Sequence, residues 1–450
     1  MTPGRSTILR GVRRLGAAVL LLAVSGAARR GAPDDPPTDW IDPATGHRVI
    51  RLSTEPGSQT LYFHDNAYTP DGDKYVFSSP SGIMLLDLTT LGTSPPKPEL
   101  IVPGAGGAYV ARRTREVYFV RRVPGAARGA SGQVFAYNVD TKAIRPVPNA
   151  TRTLINADET FTVTPIAAED PTGKTPRPPV REARPQLQRM FPGKTMAELT
   201  PEQQYAVTKE EGLARRALNP EPMAFVFTNL KTAKADTVGY QYGWLNHMQF
   251  NPKDPNLLLY CHEGTWHEVD RIWTIRTDGS EMTLRHKRSM DMEIAGHEFW
   301  SWDGRTIWYD LQTPRSQVFW IAGVNIETGA RTQYRVDRDA WSVHYNVSRD
   351  DSMFMGDGGD ETQVAFAPNG RWINLFTVQR DSTVKREKLV NMAKHNYVTG
   401  RGGVEPNGSI TPDKKWVIFT GNFDGARHVY AVSTKLLSVP RQPRSRGQSR

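Results

Sequence analysis

Asp65-Asn66-Ala67-Tyr68-Thr69-Pro70-Asp71-Gly72 sets a pattern that the rest of the chain restates. A polar residue opens an apolar stretch, five residues later a tight turn reverses the chain, and an apolar strand returns. A second hairpin then closes on a turn such as Asp278-Gly279 or Glu327-Thr328-Gly329. Each copy reads as a small antiparallel sheet. Clear copies begin near Asp65, His247, His297, His344 and Asn407, and weaker ones near Ala108 and Arg152. Seven copies at roughly 40 to 60 residues predict an all-β chain, a seven-bladed β-propeller in which each blade is a four-stranded sheet. The strand-like His47-Arg48-Val49-Ile50-Arg51 precedes the first full copy, so the segment Asp42 to Leu52 is expected to complete the last blade and close the ring.

One segment breaks the rhythm. Residues 169–222 turn rich in Pro, Arg and Glu, and Thr200-Pro201-Glu202-Gln203 is a capping-box start for a helix running to about Leu218. The spacing predicts a partly helical insertion between blades 3 and 4, either a solvated excursion covering a blade edge or a lid, the first reading being favoured. The propeller is thus expected over 29–439.

The ends carry other signals. Arg10, Arg13 and Arg14, the apolar run Leu15 to Val24 and the small residues Ser25-Gly26-Ala27-Ala28 predict a signal peptide over 1–28 and export to the periplasm or beyond. That run is too short to span a bilayer, so no stable membrane insertion is expected. The tail 440–450 is basic, lacks apolar residues and is expected to be disordered. Net charge is +10, but Arg-rich ends supply much of it, which argues against nucleic acid and leaves a local anionic partner. A single cysteine, Cys261, excludes an internal disulfide and reads as a buried core residue.

Counting five residues back from the turn position gives His247 before Pro252, His297 before Trp302, His344 before Arg349, Asn407 before Pro412 and Asp65 before Pro70. First strands line a propeller's channel, so these side chains converge near one rim. The end of each second strand returns there, bringing His262, Glu263, His267 and Arg271. With His64 and Tyr345 beside them, His247, His262, Glu263 and His267 are candidates for substrate contact. A lone histidine at a strand start is usually structural; three in one register point to a site. Tyr345, Trp244, Trp266 and Trp300 read as core aromatics first and sugar platforms second.

At these residues the sequence resembles the oligogalacturonate lyase family, propeller enzymes that cleave short pectin fragments by β-elimination. The strings that carry the resemblance are Leu61-Tyr62-Phe63-His64-Asp65-Asn66-Ala67-Tyr68-Thr69-Pro70-Asp71-Gly72, Cys261-His262-Glu263-Gly264, Val269-Asp270-Arg271-Ile272-Trp273, Gly296-His297-Glu298-Phe299-Trp300 and Gly356-Asp357-Gly358. The resemblance implies an acidic oligosaccharide substrate, His297 as base, Arg271 as the group that neutralises substrate charge, and a divalent metal, Mn²⁺, held by His344 and residues before the last turn. There the chain departs: where the family shows a His-Pro-His string preceded by Gln, it reads Gly402-Gly403-Val404-Glu405-Pro406-Asn407. The metal set is then expected to be His344, Glu405 and Asn407, with His395 as a substitute ligand. Rival readings are a non-catalytic propeller that binds sugar or protein in the cell envelope, and a lyase for another uronate glycan. A serine peptidase propeller is set aside for want of a Gly-x-Ser-x-Gly elbow.

Overall fold

The computed structural model describes residues 38–121, 132–179, 184–398, 402–423 and 425–436. The expected signal peptide and basic tail lie outside them.

Alternation of apolar and polar residues between tight turns gives seven antiparallel sheets in chain order. Blade one holds Lys74–Ser79, Gly82–Asp87 and Glu99–Pro103. Its inner position is taken by an extended segment bridged through Gln59 to Ser78 and Tyr68 to Tyr75. Blade two runs from Gly106–Val110 to Ile144–Pro146. Blade three pairs Phe161–Ala167, Pro222–Asn229 and Ala235–Tyr242. Blade four runs from Trp244–Phe250 to Thr283–Leu284, blade five from Ile294–Trp300 to Arg331–Val336, and blade six from Tyr345–Val347 to Val384–Asn391. Blade seven joins Ser409–Ile410, Trp416–Gly421 and His428–Ser433 to the N-terminal strands Arg48–Arg51 and Asp39–Ile41. Val49 pairs with Val432 and Ile50 with Ala431, so the ring closes where the sequence placed the seam. The apolar core fills the wedges between blades: Ile50, Phe77, Val110 and Ile418 belong to one buried cluster spanning blades seven, one and two.

The insertion sits inside blade three, not between blades three and four. Ala167 and Met223, which flank it, are direct strand partners, so it is the loop of one hairpin. Its length hides that pairing in the sequence, where two halves of one hairpin read as separate segments. The helix Pro201–Leu218 begins on Thr200, whose Oγ1 accepts from Gln203 N at 3.3 Å while Gln203 Oε1 accepts from Thr200 N at 3.1 Å. The helix follows a stretch that lies against the outer strand of blade three, where Thr175 Oγ1 donates to Tyr240 O at 3.4 Å. Glu210, buried on its inner face, accepts from the backbone N–H of Trp266 at 2.8 Å and pairs with Arg315 at 3.2 Å, docking the helix on the loops of blades four and five. Leu213 packs against the cluster of Phe63, Trp266 and Trp341, and the helix roofs one face of the ring.

Candidate active site

His247, His297 and Asn407 share a backbone as well as a register. Their φ angles are 48°, 51° and 47°, a left-handed conformation uncommon for residues with a side chain. In blades four and five it falls at a β-bulge, between Asn246 and Gln249 and between Gly296 and Phe299. A bulge re-aims a side chain, here toward the channel. Blade two repeats the device with Gly107, φ 65°, where no side chain is presented.

The rings that converge are His297, His344, His247 and His64. The centroids of His297 and His344 are 4.9 Å apart, and His64 lies 5.9 Å from His247. Among them sits a turn that the repeat did not foretell: Asp65 N donates to Tyr62 O at 2.8 Å, and this turn sets Phe63 flat on His344 at 4.3 Å and Tyr62 on His247 at 5.6 Å. Tyr62, His64 and His247 line a cleft of ≈ 620 Å³ with Gly107, Arg152 and Asn246, which opens the rim to solvent.

His297 presses its ring against Trp266, centroids 4.8 Å apart, and its Nδ1 is buried without a hydrogen-bond partner. Burial, followed by the charges of His344, Arg271, His247 and Lys209, holds its pKa well below the ordinary histidine value, so the imidazole is neutral at neutral pH. Arg271 is almost wholly buried. It lies 3.9 Å from the Trp266 ring centre, donates to Glu263 at 2.8 Å and to Gly264 O at 3.3 Å, and keeps Nε unpartnered. Burial works against its charge, but Cys261, Glu263 and Glu298 outweigh it and raise its pKa. Burial would likewise raise the pKa of Glu263, yet His247, 3.5 Å away, and Arg271 hold it down at about 2. Glu298, beside His297, is buried with neither carboxylate oxygen bonded. Unpartnered buried polar atoms are rare, and these belong to neighbouring residues of one rim.

His344 is held from behind. Asp357 accepts from its Nδ1 and from its backbone N–H, both at 2.8 Å, leaving Nε2 toward Tyr62 Oη at 3.5 Å and Glu405 at 3.8 Å. Burial disfavours its charged form, but Asp357 prevails and its pKa is raised.

Three candidates for substrate contact fall elsewhere. His262 is one residue from Glu263 on an extended strand; it bonds Gln241 and lines, with Trp244, Arg216 and Glu263, a second cleft away from His297 and His344. His267 is fully buried between Arg189 at 3.2 Å and Arg315 at 3.1 Å, under the insertion. Tyr345 is core: it lies 6.0 Å from Phe376, and its hydroxyl accepts from Ser342 N at 3.2 Å. The sequence reading also passed over Lys209. It is exposed on the inserted helix one turn before Leu213, and its charge reaches both His297 and His344.

His247, His297, His344 and Arg271 lie on blades four to six, within the portion of the chain that comparison with known proteins singles out. Residues 218–437 match the oligogalacturonate lyase family. The oligogalacturonide lyase of Pectobacterium atrosepticum and the oligogalacturonate lyase of Dickeya dadantii are each 30% identical to the chain over 221 residues, 46% of its length. The match spans only 56% of either relative. An oligogalacturonate lyase structure from Vibrio parahaemolyticus superposes with a TM-score of 0.64 at 19% identity, covering 88% of this chain and 96% of that one. An oligogalacturonate lyase in complex with manganese gives 0.64 at 20% identity, covering 88% and 95%. At such identities the likeness establishes the fold, a seven-bladed propeller.

The expected metal set does not assemble. Asn407 Oδ1 accepts from Phe63 N at 3.2 Å and its Nδ2 donates to Glu405 O at 3.0 Å, so the amide is engaged by backbone. His395 Nε2 is bonded to Val404 O at 2.8 Å and its Nδ1 accepts from Asn422 N at 3.3 Å, which removes the substitute ligand. His344 Nε2 and Glu405 remain as a pair, and no group of three His, Cys, Asp or Glu side chains converges among the described residues. The string Glu405-Pro406-Asn407 supplies one carboxylate and one amide, and the amide closes on the backbone.

Proposed function

We propose that this chain is a lyase that cleaves short uronic-acid oligosaccharides, oligogalacturonides from pectin foremost, by β-elimination. The observation that carries the reading is the meeting of a neutral imidazole, His297, with a guanidinium, Arg271, at Trp266, each against the indole and each keeping one buried nitrogen without a partner. The match of residues 218–437 to oligogalacturonate lyases supports it.

β-Elimination removes the proton at C5 of a uronate, beside a carboxylate that already carries charge, and expels the oxygen at C4. Charge accumulates on that carboxylate as the proton leaves, so fixed cations lower the barrier. Arg271, supported by Glu263, is one such cation; Lys209 on the roofing helix is a second. His297 takes the C5 proton, the electron pair closes the C4–C5 double bond, the C4–O bond breaks, and the departing oxygen takes a proton from water. A neutral base is required, and the depressed pKa of His297 keeps it unprotonated. No step passes through a metal. The cleft lined by Tyr62, His64, Arg152 and His247 gives the oligosaccharide its approach.

The test is incubation of the protein with digalacturonate and with other uronate oligomers while the ultraviolet absorbance of the new double bond is followed. Absorbance that grows with digalacturonate and stops in His297→Ala supports the reading; binding without any absorbance makes the protein a sugar-binding propeller.

A further inference from the structure

The first strand of each blade runs from the histidine rim to a hairpin turn five residues on, ~16 Å at about 3.3 Å per residue. The turn positions Pro70, Arg112, Pro252, Trp302, Arg349 and Pro412 therefore gather at the opposite mouth of the channel. Three of that mouth's cations collect on one indole. The guanidinium carbons of Arg112 and Arg349 lie 5.4 Å and 4.0 Å from the Trp302 ring centre, and the Lys253 ammonium lies 5.7 Å from it. Arg112, Trp302 and Arg349 line a narrow cavity of ≈ 80 Å³. The Nε atoms of both arginines are buried without a hydrogen-bond partner.

The one carboxylate on the cavity wall, Asp65, pairs with His64 at 3.3 Å and with neither arginine. Neither Arg112 nor Arg349 forms an ion pair among the described residues. Asp71, whose field reaches Arg349, is bonded to Arg115 at 2.7 Å. Cation–π attraction keeps each guanidinium on the indole without cancelling the repulsion between them. The pKa of Arg349 is lowered, by burial first and by Arg112 second. Gly72 keeps the space clear: a Cβ there would lie 2.7 Å from Pro412 and 3.5 Å from Arg349 Nη2. Two forked donors at a cavity with room for several waters suit an anion whose oxygens accept paired hydrogen bonds.

We propose that the far mouth of the channel binds a small oxyanion, a phosphate or a carboxylate, between Arg112 and Arg349, with Lys253 at its edge. Such an anion ties blade two to blade six across the channel. The cavity reaches Phe63 and His64 of the rim, but the donors proposed for the anion, Arg112 and Arg349, have no part in the lyase reading.

The experiment is thermal unfolding of the whole protein in chloride, phosphate and acetate at equal ionic strength, with calorimetric titration of inorganic phosphate. A saturable rise in melting temperature over chloride is expected, with heat of binding, and both vanish in Arg112→Met and Arg349→Met. In chloride these variants melt no lower than the parent, because each removes one of two opposed charges. A rise with phosphate alone assigns the site to phosphate; a rise with acetate alone assigns it to carboxylates. Equal melting in all three salts, or a rise that survives in both variants, overturns the proposal. Should Arg349→Met fail to fold, Arg112→Met and Arg349→Gln read the same outcome.

Discussion

Asp357 grips His344 twice, accepting from its ring Nδ1 and from its backbone N–H at 2.8 Å each. Both residues are buried, so the carboxylate fixes the tautomer and the ring orientation together. The raised pKa of His344 means that its protonation stabilises the fold below the unfolded histidine value and that this is lost as pH rises through the folded value; burial raises the pKa of Asp357 as well, so the ion pair weakens again in acid. Asp357→Asn keeps the shape and removes the charge. It is expected to destabilise the protein by about 3–5 kcal/mol near pH 5.5, with a smaller loss at high pH, as read by urea unfolding.

His297→Ala removes the base and is expected to lower kcat by about 10²–10⁴. Arg271→Lys retains charge but loses the fork that reaches Glu263 and Gly264, and is expected to lower kcat/KM by about 10²–10³. Product absorbance measures both, and unchanged circular dichroism shows that the blades persist. Parental rates in either variant remove that residue from the scheme.

Gly296 leaves the space in which Trp266 and Arg271 meet. A Cβ at that position would lie 2.3 Å from the Trp266 ring and 3.1 Å from Arg271 Nε, so one of them must shift. Gly296→Ala is expected to cut turnover as severely as Arg271→Lys while His297 remains intact. Steady-state kinetics beside a thermal melt separates displaced chemistry from simple unfolding.

Acid should unfold the protein in a defined window. Burial, with Arg315 and Arg189 next in weight, holds His267 at about 3. The unfolded chain takes up that proton near pH 6.5 and the folded protein does not, so stability falls as pH drops from about 6.5 to about 3. The slope from this residue is at most about 1.4 kcal/mol per pH unit. Urea unfolding at pH 7.5 and 5 measures the slope, and His267→Gln should flatten it.

Chelation is expected to leave the elimination rate unchanged, because the Asn407 amide is bonded to Phe63 and Glu405 and two donors remain. Assay of enzyme dialysed against EDTA, with and without added Mn²⁺, checks this. Loss on dialysis and recovery with Mn²⁺ would show that Glu405 and His344 recruit further donors.

The ring, its seam and the histidine register were legible because each repeats: one polar residue five positions before a turn marks one strand pointing at one axis. What does not repeat was hidden. The strand partnership of Ala167 and Met223 is separated by the whole insertion, so its blade was misplaced. Lys209 and Glu210 belong to that insertion, where no register says which face meets the ring. His262 was drawn to the rim by its neighbour Glu263, although its ring bonds Gln241 in a second cleft. Asp357 stood in a quoted string, but only the fold shows that it lies behind His344. The amide of Asn407 is in the predicted register; that the backbone captures it is visible only once Phe63 is in place.

The zipper of Val49 and Ile50 onto Val432 and Ala431 joins segments separated by all the intervening blades. Six blades can stack while the hairpin of Asp39–Ile41 and Arg48–Arg51 still waits for His428–Ser433, the strand that ties it to the last blade. Cleavage near residue 50 or near residue 430 therefore disables the same sheet, and circular permutants that bring those two strands onto one hairpin should assemble faster than the parent.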